Sequence, residues 1–263
     1  MFPLHDENPT RRFPLVTYLL VAANVVAYVA QLWTQYHVGE DILVVRYGLI
    51  PAELVHDADR VYRLGPRYEP IFVINEDPPC ITLLTSMFLH GSLLHIAGNM
   101  WFLAIFGNNI EDRLGHLRFL LFYLAGGLAA AAAHVWLYPD SPIPTIGASG
   151  AIAGVLGAYF VLFPGARVTT LIFLGFFVTV AVVPAAVVLG FWFVIQVFSE
   201  LVGWGASQGD GGGVAYAAHI GGFVFGWLAI RLVAPPAARR PRYYGPPTYW
   251  DEDLPRRRRW DDD

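Results

Sequence analysis

Apolar residues along this chain are concentrated in runs that are long enough to cross a membrane. The runs predict helical spans over about residues 13–33, 92–110, 117–137, 147–163, 184–202 and 214–233. Most of them are close in length to the ~20 residues that a helix needs to cross a hydrocarbon core. We therefore predict an all-α polytopic membrane protein, a bundle of six transmembrane helices.

A further apolar stretch, 168–183, leaves the number of crossings open if hydropathy alone is considered. Six crossings place the arginines that flank the spans on one side of the membrane, as the positive-inside rule requires. These arginines are Arg11, Arg12, Arg113, Arg118, Arg167, Arg239 and Arg240. We therefore expect six crossings, with 168–183 forming a re-entrant, interfacial or tilted approach to the fifth.

The spans divide the chain into three regions. Residues 1–12 are polar and end in two arginines, which predicts a cytoplasmic segment, and the membrane domain covers 13–234. A long loop within it, about 37–89, is acidic and rich in proline, and we expect it outside the cytoplasm. Residues 235–263 are rich in Pro, Arg, Tyr and Asp, which predicts a disordered cytoplasmic tail.

Composition supports this class of protein, because 56% of the residues are apolar and only 14% are charged. The run that starts at Phe13 is longer than the apolar core of a signal peptide, so we expect it to be retained. The single cysteine, Cys80, excludes an internal disulfide and a Cys-rich metal site. The expected surroundings are a lipid bilayer, and no nucleic acid partner is predicted.

The three spans that run inward from the outer face carry polar groups in their first two turns. These are His95 and Asn99 on the second span, Ser149 on the fourth and His219 on the last. Each such group is costly in hydrocarbon unless it is hydrated or partnered. Their common depth predicts a shared, water-reachable cavity that opens outward.

Glycine spacing indicates which of these helices can meet. Gly150-x-x-x-Gly154 and Gly222-x-x-x-Gly226 are spacings that allow two helices to approach closely. A serine hydroxyl on one helix and an imidazole on the other would make a nucleophile–base pair. A serine or a histidine alone is more often structural in a membrane helix, and the catalytic interpretation depends on the combination.

An acyl-transfer site also needs hydrogen-bond donors for the oxyanion. The backbone N–H of Ser149 is at a helix start, where it has no helical partner and lies at the positive end of the dipole. The Asn99 amide and the His95 ring are the natural side-chain donors. We find no aspartate placed to orient His219, and therefore predict a dyad.

The motifs together resemble the rhomboid family of intramembrane serine proteases, of bacterial type. They are, in family order, His90-Gly-Ser-Leu-Leu-His95-Ile-Ala-Gly-Asn99, Glu111-Asp112-Arg113 with Gly115, Gly147-Ala-Ser149-Gly150, and Ala218-His219-Ile-Gly-Gly222 with Gly226. They cover about half of the chain, and their combination is specific although each motif alone is not.

The resemblance implies a rhomboid-like six-helix bundle with Ser149 as nucleophile and His219 as general base. It assigns His95 and Asn99, with the Ser149 amide, to the oxyanion hole. It also implies a serine-type endopeptidase that cleaves transmembrane segments of other proteins, with small residues at the cut and helix-destabilising residues beyond it. No metal or cofactor is implied, and the expected location is a bacterial plasma membrane with both termini cytoplasmic.

Structural roles follow for a second group of residues. The glycines expected to permit the turn before the serine and the close helix packing are Gly147, Gly150, Gly154, Gly222 and Gly226. Glu111 and Arg113 are most simply a solvated, salt-bridged helix end, whereas the resemblance implies a structural clamp there.

The chain departs from the family pattern at two places. Some bacterial members have a tyrosine one turn after the serine, stacked on the histidine, and here that residue is Ala153. Another group must therefore hold the His219 ring. A Trp-Arg pair found in the first loop of some members is replaced by Ile81-Thr82, which affects the anchoring of that loop and not the chemistry.

Other functional classes fit the sequence less well. A zinc protease of the His-Glu-x-x-His type is excluded because this motif is absent, and the spans lack the two aspartates of an aspartyl protease. A transporter would favour internal repeats or charges at mid-membrane, and we find neither. The main alternative is a non-catalytic rhomboid-like protein that binds client transmembrane helices.

Overall fold

The computed structural model describes residues 1–38, 42–56, 61–63, 70–72, 79–175, 177–205 and 215–235. Its helices are α1 (Leu15–Val38), α2 (Ile42–Tyr47), α3 (Pro51–His56), α4 (Thr82–Thr85), α5 (Leu93–Phe102), α6 (Asn108–Leu114), α7 (His116–Leu137), α8 (Ser149–Leu162), α9 (Ala185–Gly205) and α10 (Tyr216–Val233). A π turn, Leu103–Gly107, joins α5 and α6 into one continuous helix. Single 3-10 turns at Pro79–Ile81 and Ser86–Phe88 flank α4. The predicted tail lies outside the described residues from position 236 onward.

The helices confirm the predicted class of a predominantly helical membrane protein. Among the described helices, α1, α7, α9 and α10 are long and apolar enough to cross a membrane. The helix from Leu93 to Leu114 passes the same test together with the short helical segment Thr82–Phe88, from which it is bent by 95°. With α8 as a shorter apolar helix, this arrangement is compatible with the six predicted crossings.

Strands occupy the apolar stretch before α9, where the sequence analysis predicted none. β4 (Arg167–Leu174) and β5 (Phe177–Pro184) form an antiparallel hairpin whose turn contains Gly175 at a φ of +63°. β1 (Phe2–Asp6) pairs antiparallel with the other edge of β4. The hairpin is rich in valine and threonine, and such β-branched residues favour strands over helices. A second, two-stranded sheet pairs β2 (Val61–Arg63) with β3 (Pro70–Phe72).

The polar N-terminal segment is tied to the helical bundle through Asp6. This side chain is 5% exposed, and its Oδ2 accepts hydrogen bonds from the Tyr159 hydroxyl at 2.7 Å and from Asn109 Nδ2 at 2.8 Å. Burial raises the pKa of the Asp6 carboxyl above its usual value. The contacts fix β1 and its partner β4 against the ends of α8 and α6.

Helix α8 lies at the centre of the bundle, and each residue from Gly150 to Tyr159 is buried. It packs chiefly against α10 and α7. A Cβ atom on Gly222 would overlap the carbonyl oxygen of Gly150, and one on Gly226 would overlap that of Gly154. The backbones of α8 and α10 therefore touch along a seam of glycines, which sets the spacing between the two helices.

Glu111 is buried, with an exposed fraction of 1%, so its interpretation as part of a solvated helix end is wrong. Its carboxylate accepts hydrogen bonds from the Val16 and Thr17 amides at 2.8 and 2.7 Å and from the Thr17 hydroxyl at 2.6 Å. His116 Nδ1 lies 2.5 Å from the same carboxylate. Glu111 thus caps the start of α1, where amides lack helical partners. Arg113 is half-buried in the last turn of α6.

Substitution of Glu111 by glutamine should destabilise the fold. The amide keeps one acceptor oxygen but loses the charge and the second oxygen, so we expect the free energy of unfolding to fall by about 1.5–3 kcal/mol. Thermal unfolding in detergent would measure this change. Asp112→Asn is the matched control, because Asp112 accepts from the exposed Arg11 and Arg12 amides and should matter by less than about 1 kcal/mol. Equal effects of the two variants would contradict a buried cap at Glu111.

Candidate active site

Ser149 is the first residue of α8, at the end of a tightly held connection from α7. The Gly147 amide donates to the Ser86 carbonyl at 2.9 Å, and Thr145 pairs with Leu49 in an isolated antiparallel bridge. The Thr145 hydroxyl also lies 2.9 Å from His134 Nε2, a structural contact between α7 and this connection. These bonds fix the backbone that precedes Ser149.

His219 lies in the first turn of α10, directly beside Ser149. Its Nε2 is 2.7 Å from Ser149 Oγ, within hydrogen-bonding distance. The ring is 8% exposed, whereas Ser149 is half-buried. The glycine seam brings these two side chains together, because a bulkier residue at Gly222 would overlap the Gly150 carbonyl and separate the backbones that carry them.

Gln196 on α9 contacts the other nitrogen of the His219 ring, and sequence reasoning missed this residue. Its Oε1 lies 2.7 Å from His219 Nδ1. The Trp192 ring lies beside the imidazole, with the two ring centroids 5.8 Å apart, and Tyr216 meets it edge-on. A signal existed in the sequence, because an amide within an apolar span requires a partner.

Ala153 is fully buried and packs against α10 at Gly222. A Cβ on Gly222 would lie 3.3 Å from the Ala153 Cβ, so this position is filled by close helix packing. The groups that surround the His219 ring come instead from α9 and from the start of α10. This arrangement answers the question that the absent tyrosine raised.

His95 points toward the serine from the start of α5. Ser92 caps this helix by accepting from the His95 amide at 3.1 Å. The Gly91 amide lies 3.4 Å from His95 Nδ1, a weak contact that favours a hydrogen on Nε2. If Gly147 carried a Cβ atom, that atom would lie 2.9 Å from His95 Nε2 and 3.5 Å from Ser149 Oγ. Gly147, at a φ of +128°, leaves the space that His95 needs.

Asn99 lies one turn beyond His95 on the same face of α5. It is 9% exposed, and its Nδ2 has no hydrogen-bond partner among the residues that the structure describes. A buried amide donor without a partner is uncommon, because such a group costs free energy. Asn99 therefore presents an unused donor in the neighbourhood of Ser149 and His95.

His90 is also buried, at 1% exposure, and its ring meets that of His95 edge-on with the centroids 5.0 Å apart. Gln31 on α1 holds the His90 backbone, accepting from its amide at 2.9 Å and donating to its carbonyl at 3.2 Å. His90 thus packs against the His95 ring and helps to fix its position. Across the described ranges, no group of three or more His, Cys, Asp or Glu side chains could hold a metal ion.

Fold and site together define a polytopic membrane protein in which a serine and a histidine from two packed helices form a hydrogen-bonded pair. The Rhomboid domain family matches residues 79–236, more than half of the chain. The protein belongs to the rhomboid family.

Individual relatives give the same assignment. Rhomboid protein 1, mitochondrial, from Saccharomyces cerevisiae is 31% identical over 171 residues, which cover 61% of this chain and 45% of that protein. Rhomboid protease GluP from Bacillus subtilis is 34% identical over 156 residues, 59% of this chain and 26% of that protein. The presenilin-associated rhomboid-like protein, mitochondrial, from Bos taurus is 32% identical over 149 residues, which cover 56% of this chain and 36% of that protein. The matched region spans less than half the length of each relative.

Proposed function

We propose that this chain is an intramembrane serine endopeptidase that cleaves transmembrane segments of other proteins. The observation that carries the proposal is the 2.7 Å contact between Ser149 Oγ and His219 Nε2. A serine is a weak nucleophile until a base takes its proton, and this contact provides the base. The bacterial relative named a rhomboid protease supports the same class of activity.

The proposed reaction follows the serine protease pattern. Ser149 Oγ attacks the scissile carbonyl carbon while its proton moves to His219 Nε2. The resulting tetrahedral intermediate collapses to an acyl-enzyme when His219 returns that proton to the leaving amine. A water molecule then attacks the acyl carbon while His219 takes one of its protons. His219 returns that proton to Ser149 Oγ as the bond from Oγ to the acyl carbon breaks and the carboxylate product is released.

Three donors are proposed to stabilise the oxyanion. The Ser149 amide is in the first turn of α8, where backbone N–H groups have no helical acceptor. The His95 ring faces Gly147 with Nε2, and Asn99 offers its unpartnered Nδ2. Donors fixed in advance around a developing negative charge lower the barrier more than flexible ones, because they need not reorganise during the reaction.

The length of α8 supports hydrolysis below the membrane surface. Its 14 residues span about 21 Å, less than the about 30 Å of a hydrocarbon core. If Leu162 lies at the inner boundary, Ser149 lies below the outer one, at a depth that a transmembrane substrate can reach. The half-buried Ser149 and His95 are consistent with access of water from that side.

A test is to reconstitute the protein in liposomes with a transmembrane reporter and to treat it with a fluorophosphonate probe. We expect reporter cleavage and a covalent adduct that peptide mass spectrometry places on Ser149. The alternative, a non-catalytic protein that binds client helices, predicts reporter binding with neither cleavage nor adduct. Absence of both from folded protein would overturn the proposal.

Loss of the Asn99 donor should slow turnover. Asn99→Ala removes one oxyanion contact, so we expect kcat to fall by about 10–10³-fold with a much smaller change in KM. Asn108→Ala, in the first turn of α6 on the same continuous helix, is the control and should leave kcat unchanged. If Asn99→Ala turns over at the wild-type rate, the donor is another group.

The membrane compartment and topology are further proposals. The chain is an integral membrane protein, and the arginine distribution supports cytoplasmic termini. The expectation of a bacterial plasma membrane draws no support from the relatives, because their names include mitochondrial proteins as well as a bacterial one. Labelling of single cysteines from each side would decide the topology.

A further inference from the structure

We infer that Gln196 is a positioning residue that holds His219 in one tautomer, with its hydrogen on Nδ1, and so leaves Nε2 able to accept the Ser149 proton. This inference rests on the proposed function and extends it to a residue on a third helix, α9. It starts from the 2.7 Å contact between Gln196 Oε1 and His219 Nδ1.

The orientation of the Gln196 amide identifies which atom faces the histidine. Its Nε2 lies 3.4 Å from the Trp192 carbonyl one turn earlier on α9, which directs Oε1 toward the His219 ring. An amide oxygen can only accept, so Nδ1 must donate. A neutral imidazole with its hydrogen on Nδ1 has its lone pair on Nε2, the atom that faces Ser149 Oγ.

The surroundings leave few alternatives to this orientation. Gln196 and His219 are 7% and 8% exposed, so water competes weakly for their polar atoms. Trp192 and Tyr216 flank the ring and restrict its rotation. A glutamine gives the ring an acceptor without burying a carboxylate in the membrane, where a charge is costly. An amide therefore takes the orienting role that an aspartate has in a Ser-His-Asp triad.

The decisive comparison is between Gln196→Met and Gln196→Glu. Methionine fills a similar volume without an acceptor, so we expect kcat and the rate of fluorophosphonate labelling to fall by roughly 10–100-fold, the scale of one buried hydrogen bond. KM should change by less than about 2-fold, because Gln196 does not touch substrate. Glutamate keeps an oxygen at the same reach, and its carbonyl oxygen can accept from Nδ1 even when the buried carboxyl group is neutral, so this variant should recover most of the rate. Equally slow Met and Glu variants would overturn the inference.

Nitrogen-15 NMR of protein labelled at histidine reports the tautomer directly. The His219 signals, assigned by their absence from His219→Ala, should show a protonated Nδ1 and an unprotonated Nε2 in the wild type. Gln196→Met should show a mixture of tautomers. A wild-type His219 with its hydrogen on Nε2 would refute the inference even if no Gln196 variant folds.

A second contact of α9 provides the structural control. Glu200, one turn beyond Gln196, accepts a hydrogen bond from the Tyr138 hydroxyl. Tyr138→Phe therefore removes a contact that holds α9 against the end of α7 and leaves the contacts of His219 unchanged. This variant should keep the wild-type kcat. If it loses as much activity as Gln196→Met, Gln196 acts only by docking α9 and the inference fails.

The outcomes separate the inference from the proposed function. Wild-type protein that neither cleaves the reporter nor reacts with the probe would refute the protease itself. Wild-type activity that depends on Ser149, together with full activity and an unchanged tautomer in Gln196→Met, would refute only the positioning role.

Discussion

Replacement of Ser149 by alanine should abolish cleavage of a transmembrane reporter. The expected fall in kcat is roughly 10⁴–10⁶-fold, because removal of Oγ leaves only substrate binding and oxyanion donors. The variant should also lose all labelling by a fluorophosphonate. It should fold normally, because the half-buried Ser149 side chain makes one hydrogen bond within the described part of the chain, to His219. Reporter assays in liposomes and thermal unfolding in detergent would measure the two properties.

A control for Ser149→Ala lies in the same connection between α7 and α8. The Ser141 hydroxyl accepts from the Ile143 amide at 3.3 Å, and among the described residues no hydrogen bond joins it to Ser149 or His219, so Ser141→Ala should retain full activity. Equal labelling of Ser149→Ala and the wild type would show that another residue is the nucleophile.

Replacement of His219 by alanine should have an effect of similar size. Without an imidazole, the Ser149 proton has no acceptor and the leaving amine has no donor, so kcat should fall by roughly 10⁴–10⁶-fold. The double variant Ser149→Ala/His219→Ala should be no slower than either single one, because the two residues act as a unit. Reporter cleavage measured for all three variants tests this non-additivity.

The exposed His37 on α1 is the control histidine, and His37→Ala should turn over normally. If the fall in kcat of the double variant equalled the product of the falls in the two single variants, Ser149 and His219 would act independently. Wild-type turnover of a folded His219→Ala would exclude this histidine as the base.

The six long apolar helices could be predicted from the sequence to within a few residues at most ends, because apolar runs of membrane length specify helices directly, whereas the short helices α2, α3 and α4 were not predicted. The pairing of α8 with α10 was also predictable from glycines four residues apart. The hairpin 167–184 was not, because an apolar run gives the same hydropathy for a strand as for a helix. Only its content of valine and threonine indicated strands, and β1, its partner, lies far away in the chain.

Two residues, Glu111 and Gln196, have partners that could not be identified from the sequence, although the family resemblance implied a structural clamp at Glu111. Glu111 and Gln196 each act on a residue of a different helix, and nothing in their local sequence identifies that partner. Glu111 lies in a charged cluster at a helix end, which usually faces solvent, yet it caps α1, 95 residues earlier. Gln196 is isolated in an apolar helix. Their roles depend on tertiary packing, which spacing along one helix does not encode.

The contact of two backbones at Gly150–Gly222 and Gly154–Gly226 has a consequence for inherited or engineered variation. Two helices that pack through side chains can accommodate a substitution because neighbouring side chains change their rotamers. Two helices whose backbones are in contact have no side chains between them that could move. The distance between Ser149 and His219 is thus set by direct contact between the two backbones. Mutational tolerance should change abruptly along α10, with strict intolerance at these glycines beside permissive positions that face lipid.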